Sequence, residues 1–288
     1  MTEPILDHFQ LKRYPFGPEI EPDALYPFHS FQQGLLRLEQ GCRQRGMFVL
    51  AAEPGAGKTT LARRLRSRLA PSSFHCLDLA VPNRNPLRAV AEGLLAKLGE
   101  PLPFNNVTRC LTVLQIALVK LFAQSQVPVI FLDDAHHLDC SGWLALKTLA
   151  NHEMDSRVPF LLVLMGKRQE MTDTLRLSKL EEIRDRLLCC YHLRGLTPQE
   201  IEPYLDAHLR WAGRERGALF PREIAQELHR RSNGLPRRVN RLAFGCLTAA
   251  AHDRRELIDY ACLEQACSEL QLFSESTLDK TASRKDPS

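Results

Sequence analysis

The stretch Ala52-Glu53-Pro54-Gly55-Ala56-Gly57-Lys58-Thr59-Thr60 constrains this chain more than any other. An apolar run at residues 47–51 precedes it, and an amphipathic stretch at 59–69 follows. Small residues let the backbone curl so that its N–H groups face inward, the geometry that cradles phosphate oxygens. The positive end of the following helix adds to that attraction. Within such a loop Lys58 neutralises the β- and γ-phosphates and Thr59 offers its hydroxyl to Mg²⁺, with Glu53 through Thr60 forming the cradle. Ala52 stands where the usual pattern has its first Gly; Gly55 and Gly57 make the close approach. No Asn-Lys-x-Asp base-reading motif occurs in the chain, so ATP is expected rather than GTP.

Four more short apolar runs, at 75–79, 127–132, 160–165 and 188–193, complete a set of five buried parallel strands. Amphipathic stretches at 59–69, 86–98, 107–124 and 141–152 lie between them. This alternation predicts an α/β fold, a five-stranded parallel sheet flanked by helices. The pattern changes after Leu193. Thr197-Pro198-Gln199-Glu200 reads as a capping box, and helical patterns follow at 198–213, 221–232, 236–252 and 260–271 with no strand candidate. The expected organisation is an N-terminal segment at 1–29, an α/β nucleotide-binding domain at 30–195, a small all-helical lid at 196–272 and a disordered tail at 273–288.

The run Val127-Pro128-Val129-Ile130-Phe131-Leu132 ends in two carboxylates, Asp133 and Asp134. Asp133 is placed to hold Mg²⁺ through water, and Asp134 to orient or deprotonate the attacking water. The cluster Asp133, Asp134, His136, His137 and Asp139 could instead hold a metal directly. The phosphate loop upstream favours the nucleotide reading. Asp133-Asp134-Ala135-His136 also resembles a helicase signature, but no other helicase motif follows.

Composition narrows the partners. The formal charge of +4 is mildly basic and permits nucleic acid. The basic residues are mostly Arg, which forks onto phosphate in two parallel hydrogen bonds. The nine cysteines form no C-x-x-C pair. They read as buried reduced thiols, Cys189 and Cys190 in an apolar run included, of a cytoplasmic protein. No export signal is visible at the N-terminus, and the apolar runs are too short to span a bilayer.

The phosphate loop and the acidic strand end together resemble the AAA+ ATPases, members of the ASCE class of P-loop NTPases. Asn233-Gly234-Leu235-Pro236-Arg237 resembles the Gly-x-Pro-Arg lid motif, which implies that Arg237 contacts the γ-phosphate from within its own subunit, ATP lying between the two domains. Glu181-Glu182-Ile183-Arg184-Asp185-Arg186-Leu187 resembles the segment carrying the arginine finger, with Arg186 the better match and Arg184 the second. Such a finger stabilises charge on a neighbour's nucleotide, so the resemblance implies a homo-oligomer, ring or filament. Leu6-Asp7-His8-Phe9, Tyr14-Pro15-Phe16, Leu25-Tyr26, residues 160–170 and Tyr191-His192-Leu193 resemble the general secretion pathway protein A family. That ATPase module is shared with transposition helpers such as TnsC, TniB and IstB-like proteins.

The chain departs from the pattern at two places. Asp134 stands where the family usually has Glu, one methylene longer, so slow hydrolysis is expected. Lys167 stands where the family often has an uncharged polar sensor, and no role follows for it. The resemblance leaves two roles, and a toxin-like or signalling ATPase with no DNA partner is a third reading. One is a DNA-transposition helper that assembles on double-stranded DNA with ATP and recruits a transposase. The other is a secretion-assembly ATPase. The latter normally continues into a membrane span and a peptidoglycan-binding domain, and neither is read here, which favours the first. Arg84, Arg88 and Arg109 are the first candidates for DNA contact, with Arg238 and Arg241 second; Arg230, Arg231, Arg238 and Arg241 flank the lid motif without an acid between them and either touch phosphates of nucleic acid or a neighbouring subunit, or form a solvated face. Arg63, Arg64, Arg66 and Arg68 read as a solvated face, Trp143 and Trp211 as packing. Phe16 and Tyr26 either pack or line the adenine pocket.

Overall fold

The structure, a computed structural model, describes residues 4–17, 19–102, 106–150, 158–214 and 219–271. The tail expected at 273–288 and the end of the helix expected at 141–152 lie outside them. In chain order come α1 (Pro4–Phe9), α2 (His29–Gln44), β1 (Gly46–Ala52), α3 (Lys58–Arg68), β2 (Phe74–Ala80), α4 (Pro86–Leu98), α5 (Val107–Ala123) and β3 (Val127–Asp133). Then follow α6 (Cys140–Ala150), β4 (Leu161–Lys167), α7 (Arg168–Arg176), α8 (Glu181–Arg186), β5 (Leu187–Leu193), α9 (Ile201–Trp211), α10 (Arg222–Ser232), α11 (Pro236–His252) and α12 (Tyr260–Gln271).

The chain forms two compact units, one of residues Ser30–Arg194 and one of Met1–His29 with Gly195–Ser288. The first holds the sheet, in the order β2-β3-β4-β1-β5, with every pair parallel. Every residue of β1 is buried, as expected for a strand flanked by strands and covered on both faces. Inserting β4 between β3 and β1 brings the carboxyl ends of β1 and β3 to either side of one strand end. Open α/β sheets bind ligands at such a reversal of strand order. Trp143, Phe48, Phe160, Leu50 and Ile130 are among the largest side chains fully enclosed. Such burial is worth about 1.5–3 kcal/mol for each large aliphatic or Phe side chain. Trp143 is packing, as read from the sequence.

The edge strands depart from the expectation of five fully buried strands. β5 alternates between half-buried and exposed along its length, and Cys190 is exposed while Cys189 is half-buried. Each of these strands pairs on one side only, so its apolar composition did not guarantee cover on both faces. One face of β5 is covered by α2. The Tyr191 hydroxyl donates to Ser30 O at 2.7 Å, and the Arg37 guanidinium lies 5.1 Å from the Tyr191 ring centre. Gly34 permits this approach, because a Cβ there would come within 2.9 Å of both Leu61 and Tyr191. Cys42, by contrast, is buried, and burial pushes its thiol up to about 12, which leaves it inert.

The second unit is helical, and the N-terminal segment is part of its core. Lys12 N–H donates to Ala212 O at 2.8 Å, and Arg214 donates to Phe9 O at 3.1 Å. His208 Nδ1 donates to Pro15 O at 2.7 Å while its ring stacks on Phe16, 5.3 Å between centres. Tyr26 meets Tyr204 edge-on at 6.3 Å, and the Tyr204 hydroxyl donates to Asn240 Oδ1 at 2.7 Å. Phe16 and Tyr26 are thus both engaged in packing within this unit. The capping box is half made. The Glu200 carboxylate accepts from Thr197 N–H at 2.8 Å, but α9 begins only at Ile201 after a turn.

Candidate nucleotide site

The phosphate loop leaves β1 at Ala52, which pairs with Lys167 on one side and Leu193 on the other. Ala52 is still regular strand, so Ala is admitted where the usual pattern has Gly. The loop then needs left-handed backbone twice, at Gly55 (φ 86°) and Gly57 (φ 105°). At Gly57 a Cβ would have room, its nearest contact being Thr60 at 4.0 Å, so conformation rather than space demands glycine. α3 starts at Lys58, and Leu61 N–H closes its first turn on Gly57 O at 2.9 Å. The first N–H groups of α3 therefore open on the loop. The Lys58 ammonium reaches back to Ala52 O at 3.4 Å. Glu53 and Pro54 are exposed, Ala56 is buried, and Thr60 is half-buried on the first turn of α3.

Asp133 ends β3 beside this loop. Its Oδ2 accepts from the Thr59 hydroxyl at 2.9 Å, and its Oδ1 accepts from the Asp134 N–H at 2.9 Å. Both carboxylate oxygens are thereby aimed, one of them at the hydroxyl a phosphate loop presents to a divalent cation. The donor set is hard oxygen with a lysine and a helix N-terminus alongside, which fits Mg²⁺ carried on a triphosphate. Asp134 adopts left-handed backbone (φ 54°, ψ 33°) and starts a 3-10 turn, Ala135–His137.

The other members of the acidic cluster diverge. His137 Nδ1 donates to Val81 O at 2.8 Å. Asp139 caps α6, accepting from Gly142 N–H at 2.8 Å and from the Ser141 hydroxyl at 2.9 Å. His136 turns to α7, its Nε2 lying 3.1 Å from Glu170 Oε2. Among the described residues no group of three or more His, Cys, Asp or Glu converges on a point. Lys167 pairs with Glu170 at 3.0 Å. The His136–Glu170 pair joins residues 34 positions apart, and neither the metal cluster nor the helicase-like signature containing His136 points to it.

The two finger candidates separate. Arg184 donates to Leu175 O at 2.6 Å and to Leu177 O at 3.0 Å, tying down the end of α7. Arg186, the last residue of α8, is exposed one turn after Glu182, whose carboxyl is held below the usual range chiefly by Lys147 and, less strongly, by Arg186. In the helical unit Arg237 is exposed at the start of α11, behind the left-handed pair Asn233 (φ 53°) and Gly234 (φ 65°). Gly234 is required there, since a Cβ would fall 2.2 Å from Leu196 O. That carbonyl accepts from His229 Nε2 at 2.8 Å, and Leu196 N–H donates to Gly234 O at 2.8 Å.

Several arginines are already committed. Arg230 and Arg231 both bond Glu227, and Arg231 also reaches Glu264. Their charges are therefore met by carboxylates within the helical unit. Arg88 pairs with Glu92 at 2.7 Å, whereas Arg84, Arg109, Arg238 and Arg241 are exposed. Arg66 and Arg68 pair with Asp78 and Glu39 on an exposed face.

This sheet order, loop and acidic strand end define the fold of an AAA+ P-loop NTPase. Residues 41–175 match the family model described as AAA domain. The chain is 29% identical over 248 residues to general secretion pathway protein A of Aeromonas hydrophila, covering 84% of this chain and 44% of that protein. It thus spans less than half the length of that relative, and where it ends decides nothing between the two expected roles. Among solved structures, Cdc6p from Pyrobaculum aerophilum superposes with a TM-score of 0.67 at 17% identity, over 88% of this chain and 70% of that one. The Aeropyrum pernix ORC1 protein in complex with DNA gives 0.63 at 18%, over 94% and 77%. At these identities the likeness is one of fold. Among the described residues no helix is long and apolar enough to cross a membrane.

Proposed function

We propose that this chain binds ATP with Mg²⁺ in the phosphate loop, hydrolyses it slowly, and uses the bound nucleotide to control assembly with copies of itself. The observation that carries the reading is the Thr59–Asp133 contact at the mouth of a Gly-Lys-Thr loop. Bound Mg²⁺–ATP would supply an electrophilic γ-phosphorus. The chain would supply the cradle of N–H groups from Glu53 to Thr60, the Lys58 charge, and the Asp133 carboxylate to orient water around the cation. Asp134 would accept a proton from the attacking water. Arg237 from its own subunit and Arg186 from a neighbour would neutralise charge developing on the phosphate oxygens.

The assembled form acts, in this reading, as a DNA-transposition helper that gathers on double-stranded DNA and engages a transposase. Support comes from the module that transposition helpers share and from the exposed Arg84, Arg109, Arg238 and Arg241. A second reading, a secretion-assembly ATPase, is favoured by the relative from Aeromonas hydrophila. Anisotropy titration of labelled duplex DNA with and without a non-hydrolysable ATP analogue separates them. The DNA reading requires binding with nucleotide only, weakening with salt by about 0.9 log units per phosphate contact for each tenfold rise. Absence of binding at low salt with nucleotide present contradicts the DNA reading and leaves the secretion reading or a signalling ATPase without a DNA partner.

A further inference from the structure

We propose that His136, braced by Glu170, is a positioning residue that turns the Asp134 carboxylate outward to the mouth of the phosphate loop. The inference rests on the reading that this site hydrolyses ATP, and it answers how a carboxylate one methylene short is held in place. Asp134 is 52% exposed, and no hydrogen bond to its side chain is found among the described residues. Its titratable neighbour is His136, whose Nδ1 lies 3.9 Å from Asp134 Oδ1, beyond hydrogen-bond range.

The His136 side chain is only 4% exposed, and its Nδ1 is buried without a partner. Groups facing the ring are Glu170 and Lys167 from the β4–α7 side and His137 and Asp134 from its own turn. Burial lowers the ring's pKa against the opposing pull of Glu170, so the ring is neutral at neutral pH. A neutral imidazole has a single N–H. Glu170 accepts at Nε2, 3.1 Å away, so the proton sits there and Nδ1 presents a bare lone pair. That lone pair faces a carboxylate oxygen, and two acceptors repel. The Asp134 side chain is thereby held off the ring, on the solvent-exposed side of the turn.

The rest of the turn holds the ring in this pose. The His137 ring packs on it at 4.3 Å, with His137 itself tied to Val81 O. Gly166 leaves space for the turn, since a Cβ there would meet Met171 at 2.6 Å and the His136 backbone nitrogen at 3.3 Å. Glu170 is in turn fixed by Lys167 at 3.0 Å. Lys167, without a role in the sequence reading, thus acts at one remove on Asp134.

The test is a double-mutant cycle on the full chain, with steady-state ATP turnover and fluorescent-ATP affinity measured for His136→Ala, Glu170→Ala, the double variant and Glu170→Gln. Each alanine variant should lower kcat on the order of tenfold to a hundredfold, the scale of a misplaced catalytic group, with nucleotide affinity within about twofold of the parent. The double variant should lose no more than either single one, because the two residues act as a unit. Glu170→Gln should keep parental turnover, since its amide oxygen still accepts from Nε2–H. Unchanged kcat in His136→Ala, additive losses, or a Glu170→Gln variant as slow as Glu170→Ala would each overturn the proposal. A parent chain that binds ATP but never turns it over would instead overturn the hydrolysis reading, and this inference with it.

Discussion

The Thr59 hydroxyl donates to Asp133 Oδ2 across 2.9 Å, joining the first turn of α3 to the end of β3 over 74 residues of sequence. Placing β4 between β3 and β1 is what brings the two together. Thr59→Val removes the hydroxyl but keeps the shape, so Mg²⁺-dependent ATP affinity should fall by roughly tenfold or more while Thr59→Ser retains it. Titration of labelled ATP with and without Mg²⁺ checks this; equal affinity of the Val variant would show that the hydroxyl takes no part.

Asp134→Asn keeps size and backbone but loses the proton acceptor. ATP should bind normally, and turnover should fall on the order of a hundredfold. The variant should accumulate in its ATP-bound assembly, seen as a higher mass by light scattering. Turnover equal to the parent's would assign the water-orienting task elsewhere.

Arg186 and Arg184 make opposite predictions. Arg184 braces the carbonyls of Leu175 and Leu177, so Arg184→Ala should lower the melting temperature by removing the two hydrogen bonds that hold the end of α7. Arg186→Ala should abolish turnover in a variant that still folds. Mixed with Lys58→Ala, it should recover part of the activity, because each subunit supplies the half the other lacks. No recovery at any ratio of folded, co-assembling variants would place the finger elsewhere.

His208 gives the helical unit a pH dependence. Burial lowers its pKa from 6.5 to about 4, and its Nε2 is enclosed without a partner. The unfolded chain therefore binds a proton between pH 6.5 and 4 that the folded one refuses. Stability is full above pH 6.5 and falls as pH drops through that window, by roughly 3 kcal/mol in all. Urea unfolding of the parent and of His208→Gln should diverge in slope between pH 6.5 and 5; parallel curves would contradict the assignment.

Much of this was legible in the sequence because the signals are local. Gly55, Gly57 and Lys58 name a loop by their spacing, and five short apolar runs separated by amphipathic stretches name an α/β sheet. What the sequence concealed depends on neighbours. Cys190 is apolar in context yet exposed, because only the three-dimensional strand order makes β5 an edge. The partners of Arg230 and Arg231 do not lie beside the lid motif in sequence: Glu264 approaches from another helix and Glu227 from one turn earlier in α10. The N-terminal segment gave no sign that Pro15 would take a hydrogen bond from His208, since that contact spans 193 residues. The His136–Glu170 pair was hidden for the same reason.

On the proposed reading, ATP lies in the loop from Glu53 to Thr60 with Lys58 as its countercharge. Fluorescence titration of the parent and of Lys58→Ala with a labelled ATP analogue in Mg²⁺ tests it most directly. Saturable binding by the parent is expected, with affinity lower by roughly a hundredfold in the variant, the loss of a charge-assisted contact to phosphate. Equal affinity in the two, with both folded, would contradict it.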